Sequence, residues 1–179
     1  KFDILSLTTL SVIRKACELV AKTTGRQVAD IMSEIDPKKM DFNDPRVMDT
    51  VFCRGNLTGI FQASQKGMRR LLQQVKPETF EDVAATCALY RPGPLGSGMD
   101  QMYARRKNGM EDVYYDHPIL ESILKDTYGC LIYQEQMLEI GRQLGNMSWK
   151  DVNRLRKLFL KKDKPKLDEY VRKEEEELK

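Results

Sequence analysis

The sequence predicts a mainly α-helical fold with one or two short strands. Three observations predict it. Apolar residues recur at intervals of three and four almost throughout the chain. Glycine, proline and Asn-Gly signals (Gly25, Pro77, Asn108-Gly109) close the periodic segments. The alternation of strand and helix that marks a nucleotide-binding parallel sheet is missing.

The elements follow in order. "KFDIL", residues 1–5, reads as a short strand with Phe2 and Ile4 on one face. A helix then carries Leu10, Ile13, Cys17 and Val20 on one stripe and stops at Gly25. The polar stretch from Asp36 to Pro45 reads as a loop. The next helix places Met68, Leu71, Leu72 and Val75 on one side, and Pro77 ends it. Thr79, with Asp82 three positions on, approaches a capping box; Phe80, Val83, Ala84 and Cys87 form the apolar face of the helix it opens.

"RPGPLGSG", Arg91 to Gly98, breaks the pattern. A short helix after it is stopped by Asn108-Gly109. His117 caps the following helix and Pro118 takes its first position, with Leu120, Ile123 and Leu124 inside. "YGCLIY", residues 128–133, reads as a second short strand. Tyr133, Met137, Ile140 and Leu144 fall in register on another helix. The last helix begins near Ser148 and buries Val152, Leu155, Leu158 and Phe159. Pro165 is expected to break or end it, and residues 168–179 to continue as an exposed charged helix or fray.

The 179 residues suffice for one sizeable core or two small ones. Net charge is only +3, but its distribution is uneven: Arg154 to Lys166 holds seven basic residues and one acid, and acids outnumber bases from Leu167 onward. Cys17, Cys53, Cys87 and Cys130 have no C-x-x-C spacing, and His117 is the single histidine. Zinc sites and histidine-based nucleophilic triads are therefore excluded, and the cysteines read as free, partly buried thiols of a reducing compartment. Met68, Met99, Met102 and Met137 read as packing residues. There is no signal peptide or apolar run of membrane length. The chain begins at Lys1 rather than Met, which predicts a fragment.

Three features carry candidate chemistry. In the Arg91–Gly98 run, Gly93, Gly96 and Gly98 permit sharp turning and close approach, and Ser97 and Gly98 precede a helix whose free N–H groups can meet an anion. No Gly-Lys-Ser/Thr follows, so it is not a Walker A loop; a rigid connector is the alternative. Second, Lys150, Arg154, Lys157 and Lys161 share a row about 100° round from the apolar stripe of the last helix, and Arg156 flanks that stripe on the other side. Such a row suits a phosphate backbone or a triphosphate, or is a solvated face. A membrane surface fits poorly, because the apolar stripe is narrow and the tail acidic. Third, Asp3 is a lone carboxylate beside the first strand. Two metals need several carboxylates, and no D-x-D pair occurs, so spacing alone reads Asp3 as structural.

The run "TGIFQASQKGMRRLLQQVKPETFEDVAATCALYRPGPLGSGM", Thr58 to Met99, resembles the fingers of the bacterial replicative DNA polymerase III α subunit, a family C polymerase. "RRKNG" (105–109), "DTYGCLIYQEQMLEIGRQLG" (126–145) and "RLRKLFLKKDKP" (154–165) continue the likeness in order, and "KFDILSLTTLSVI" is similar to the end of that family's palm. The resemblance covers residues 1 to 166. It implies a mainly α fingers region with the terminal edge of the palm: residues 1–20 as palm end and connecting helix, 21–166 as partial fingers, 167–179 as a charged tail.

It also implies template-directed DNA synthesis with two Mg²⁺ ions. The third catalytic aspartate of the family's palm falls on Asp3, a metal ligand completed by carboxylates outside this chain. The arginine of R-P-G-P falls on Arg91, with Ser97 beside it, and the L-R-R motif falls on Leu155, Arg156 and Lys157. Arg91, Ser97, Arg156 and Lys157 are thereby expected to face the triphosphate, and Lys150, Arg154 and Lys161 the DNA backbone. Implied partners are a primer-template, a dNTP and the remaining palm and thumb, in cis or in trans, with no membrane, in the cytoplasm of a bacterium or of a bacterial host. This segment alone is expected to be inactive. The alternative is a non-catalytic nucleic-acid-binding or interaction module derived from the fold.

The sequence departs from the family pattern in three places. F-Q-L-E-S is replaced by Phe61, Gln62, Ala63, Ser64 and Gln65, without the glutamate; K-F-D-F-L-G-L is "KFDILSL"; and the second arginine of L-R-R is Lys157. Lysine keeps the charge there and loses the planar fork that grips phosphate bidentately.

Overall fold

The computed structural model describes residues 6–161 together with Pro165 and Arg172. The helices are α1 (Thr8–Thr24), α2 (Val28–Glu34), α3 (Pro45–Val47), α4 (Lys66–Val75), α5 (Phe80–Leu89), α6 (Pro92–Ser97), α7 (Met99–Lys107), α8 (Pro118–Leu124), α9 (Gln134–Gln143) and α10 (Trp149–Lys161). A π-helical turn, Met48–Cys53, follows α3, and a 3₁₀ turn, Lys125–Thr127, follows α8. The fold is mainly α, as expected. The chain forms two compact units, Lys1–Ala84 and Ala85–Lys179.

In the first unit, Cys17 and Ala21 of α1 pack on Ile31 of α2, with Val28 alongside. Gly25 ends α1 in the left-handed conformation. The expected α1 stripe is only partly inside: Cys17 is buried, while Leu10, Ile13 and Val20 stay exposed. The reason is register, since α2 covers only the strip of α1 around Cys17 and Ala21. In α4 the expectation holds in full. Met68, Leu71, Leu72 and Val75 are all buried, against the Met48–Cys53 turn.

The start of α5 is a reciprocal box. Thr79 N–H donates to Asp82 Oδ2 at 3.2 Å and Asp82 N–H returns to the Thr79 hydroxyl at 3.2 Å. That box turns Asp82 inward and corrects the expected face. Asp82, Ala85, Thr86 and Leu89 are buried, whereas Phe80 and Cys87 are exposed. Phe80 instead meets Phe42 at 5.1 Å between ring centroids, and its N–H is taken by Asn43 Oδ1 at 2.7 Å.

In the second unit α6 runs into α7, and α9 packs on both α8 and α10. Its buried apolar residues are Ala85 and Leu89 of α5 with Tyr103, Ala104, Leu124, Cys130 and Val152. His117 caps α8 as expected, its Nδ1 accepting the Ile119 N–H at 3.1 Å, with Pro118 in the first turn.

No strand occurs among the described residues. The first expected strand, "KFDIL", lies outside them. The second, residues 128–133, is a turn followed by irregular chain. Tyr128 and Gly129 have φ of 52° and 74°, which a strand does not accommodate. The donors a ladder would use are engaged locally: Cys130 N–H on the Thr127 carbonyl, and Ile132 and Tyr133 N–H both on Gln136 Oε1 at 2.9 Å. α10 begins after Ser148 as expected. The side chains of Leu158 and Phe159 lie outside the described part, and Pro165, expected to break the element, is itself helical.

Candidate nucleotide and DNA interface

Arg91 stands immediately before α6. Its backbone is extended, with φ −135° and ψ 153°, as a residue ahead of proline prefers. Its carbonyl accepts the Leu95 N–H at 3.0 Å and its side chain is exposed. One helical turn back lies Cys87, whose thiol is pushed up by partial burial and pulled down by the Arg91 charge.

The loop expected here is a helix. Pro92 and Pro94 take the first and third positions of α6, where an N–H has no helical partner to lose. Of the three glycines only Gly98 adopts a left-handed φ, +72°, and there it turns the chain from α6 into α7. Gly93 and Gly96 have no other group within 4 Å of where a side chain would stand, so no described neighbour approaches them closely.

Ser97 donates its hydroxyl back to the Pro94 carbonyl at 3.0 Å. The start of α7 is also less open to an anion than the sequence suggests, because the buried Asp100 places a carboxylate in its first turn. The positive charge of this region therefore rests on Arg91.

On α10, Val152 is inside at 1% exposure, and Lys150, Arg154 and Lys157 are exposed along one row. Lys161 closes the helix, its side chain outside the described part. Arg156, on the other flank, is half-buried. Its Nε is fully enclosed and has no hydrogen-bond partner among the described residues. Orphaned buried donors are rare in folded proteins and call for an explanation. Arg91, Lys150, Arg156 and Lys157 make no ion pair with another described residue. Arg91 and Arg156 belong to elements with different neighbours, α6 lying on α7 and α10 on α9.

Two arrangements escaped sequence reasoning. Arg106 is joined to Glu111 and to the Tyr128 carbonyl. Arg142 of α9 lies over the ring of Trp149, 4.4 Å from its centroid. The signal for the second was available, since the single tryptophan of the chain directly precedes Lys150.

Asp3 lies outside the described residues. Among those described, no group of three or more His, Cys, Asp or Glu side chains is gathered to hold a metal ion. The described residues therefore do not by themselves fit a two-metal site. No described helix is long and apolar enough to cross a membrane.

Residues 9–179 match the model of the bacterial DNA polymerase III alpha subunit finger domain. The chain belongs to that family. It is 41% identical over 167 residues to the DNA polymerase III subunit alpha of Campylobacter jejuni, 38% over 162 residues to that of Aquifex aeolicus and 39% over 168 residues to that of Staphylococcus aureus. These alignments cover 93%, 90% and 94% of this chain but 13%, 13% and 15% of the respective relatives. The chain thus spans about a seventh of the length of the curated relatives it matches. The RPGPLGSG helix, Arg106 and the basic face of α10 all lie within the matched residues.

Proposed function

We propose that this chain works as the fingers of a DNA-directed DNA polymerase, receiving the incoming dNTP and the template beside a palm and thumb supplied in cis or in trans. The observation that carries the reading is the enclosed, unpartnered Arg156 Nε, on a helix whose outer row is basic. A buried N–H without an acceptor suits a site whose acceptor arrives with the ligand. A triphosphate is such an acceptor, and phosphoryl transfer asks for fixed cations and donors rather than for acids and bases. Arg91, Arg156 and Lys157 are assigned to the triphosphate, with Ser97 as a weaker contact. Lys150, Arg154 and Lys161 are assigned to the DNA backbone.

Asp3 is assigned to a Mg²⁺ site completed by carboxylates outside this chain. The setting is the cytoplasm of a bacterium or of a bacterial host. The test is primer extension by the complete polymerase, with nucleotide and DNA varied separately for Arg91→Ala and Arg156→Ala. The 179-residue chain alone is expected to extend no primer with Mg²⁺ present, since two metals need several carboxylates. Unchanged nucleotide dependence in both variants would sink the assignment.

A further inference from the structure

Trp149 is the chain's single tryptophan, and it is 53% exposed at the first position of α10. A ring of that size in water needs a reason. One part of the reason is Arg142, whose guanidinium lies 4.4 Å from the ring centroid. A cation over one face draws on the ring's quadrupole and holds the indole in place. That contact leaves half of the residue's surface open, and the basic row of α10 begins at the next residue with Lys150, followed one turn on by Arg154.

The end of the helix is not the attraction. Ser148 and Asp151 are hydrogen-bonded to each other there, and the Asp151 N–H donates to the Ser148 hydroxyl at 3.2 Å. The local cations are instead on side chains, Arg142 over the indole and Lys150 and Arg154 on the exposed row that starts at the next residue. Sequence-tolerant binding of single-stranded nucleic acid uses this combination: an aromatic face for a base and cations for the flanking phosphates.

We infer that Trp149 stacks against an unpaired nucleobase, with Arg142 bracing the ring from behind and Lys150 and Arg154 holding the adjoining phosphates. The ligand class is single-stranded DNA, such as template not yet paired. A base-paired duplex keeps its bases stacked on one another and offers no free face, so the site discriminates single from double strand. This inference rests on the reading of the chain as fingers that handle DNA.

Trp149 is its own reporter, because no other tryptophan contributes emission. The 179-residue chain is titrated with dye-labelled oligothymidylate of about 12 nucleotides, within the usual range of site sizes. A duplex of the same length is titrated in parallel. Anisotropy of the dye gives binding, and indole emission gives stacking. The expected result is quenching of Trp149 that tracks anisotropy for the single strand and is absent for the duplex. Trp149→Leu should weaken single-strand binding roughly 5- to 100-fold, and Trp149→Phe should retain most of it. Circular dichroism of both variants checks that α10 still forms. Single-strand binding with unchanged emission, or with unchanged affinity in Trp149→Leu, overturns the stacking site and leaves the fingers reading standing. Binding to neither strand form overturns the stacking site too. The fingers reading itself stands or falls on the separate nucleotide kinetics of Arg91 and Arg156.

Discussion

The Arg106 guanidinium donates from Nη1 to the Tyr128 carbonyl at 3.2 Å and from Nε to Glu111 Oε1 at 2.9 Å. One side chain on the last turn of α7 thereby ties "RRKNG" to the turn of "DTYGCLIYQEQ", two runs that the sequence shows as separate. The turn is shaped to admit it. Gly129 has φ +74°, and a side chain there would stand 2.9 Å from Arg106 Nη1 and 3.1 Å from Val113 Cγ1. Arg106 is 15% exposed, whereas Arg105, which also reaches Glu111, is 51% exposed.

Stability should separate the two arginines. Arg106→Ala strands the Tyr128 carbonyl and breaks a charge-assisted bond, and is expected to cost about 1.5–3 kcal/mol. Arg105→Ala removes a solvent-screened pair and should cost about 1 kcal/mol or less. Urea unfolding of both variants checks this; equal losses would mean that the Tyr128 bond carries nothing.

Acid should weaken the same junction. Glu111 is held below its ordinary value by hydrogen bonds from Arg105 first and Arg106 second. A carboxylate lowered by folding stabilises the fold above its unfolded pKa, and that share is lost as pH falls through the lower folded value. The loss should begin near the ordinary glutamate value of about 4.3. Glu111→Gln should lack this component, so the gap in urea midpoint between it and the parent should narrow as pH drops from 7 toward 3. A gap independent of pH would contradict the assignment.

Thiol chemistry should distinguish the four cysteines. Cys17 and Cys130 are buried, Cys53 is half-buried and Cys87 is exposed. Burial first, and Glu111 to a lesser degree, pushes the Cys130 thiol to about 11 against the opposing pull of Arg106. Alkylation of the native chain is expected at Cys87 first, accelerating as pH rises toward the thiol range, with Cys130 untouched until unfolding. Because Cys87 lies one turn before Arg91, a bulky label on it should impair nucleotide use in the complete polymerase more than DNA binding. Peptide mapping of the labelled chain, followed by kinetics, measures both parts.

What the sequence discloses follows how directly a side chain reports its surroundings. The α4 stripe was legible because its apolar residues keep the helical period and all four are buried. The Thr79–Asp82 box was legible from a three-residue spacing. The inner face of α5 was not, since Asp82 and Thr86 are polar and buried, and a polar residue enters a core only where bonds await it. Residues 128–133 have strand composition, but the Gln136 side-chain oxygen, in the first turn of α9, takes two of their donors in a capping box whose cap residue, Tyr133, is not one of the usual serine or threonine signals. The helix at Pro92–Ser97 was hidden because proline and glycine read as breakers; at the first and third positions prolines forgo only unpaired donors. At the candidate site, only family motifs single out Arg91 and Arg156 in the sequence. The contact of Arg142 with Trp149 depends on how α9 and α10 meet, and the enclosure of Arg156 Nε has no sequence signal.

Arg156 yields the sharpest prediction, because its two possible roles move stability in opposite directions. An arginine that holds the fold together resembles Arg106, and its loss lowers stability. Arg156 Nε has no partner among the described residues, so folding strips water from this donor without replacing the bond. Arg156→Ala should therefore leave the urea midpoint unchanged or raise stability by up to about 1 kcal/mol. If the missing acceptor is a phosphate oxygen of the incoming nucleotide, the same variant should lose on the order of tenfold to a hundredfold in nucleotide use by the complete polymerase, through the nucleotide dependence, with DNA affinity nearly intact. Arg156→Lys should not restore it, because lysine keeps the charge but lacks the Nε donor and the fork. Lys150→Ala should behave in the opposite way: weaker DNA binding across sequences, a salt slope flatter by about one, and near-normal nucleotide dependence. Arg91→Ala belongs with Arg156→Ala. Loss of both stability and nucleotide use in Arg156→Ala would make it a packing residue. Retention of both would make it neither, and the triphosphate contact would have to be sought elsewhere on the chain.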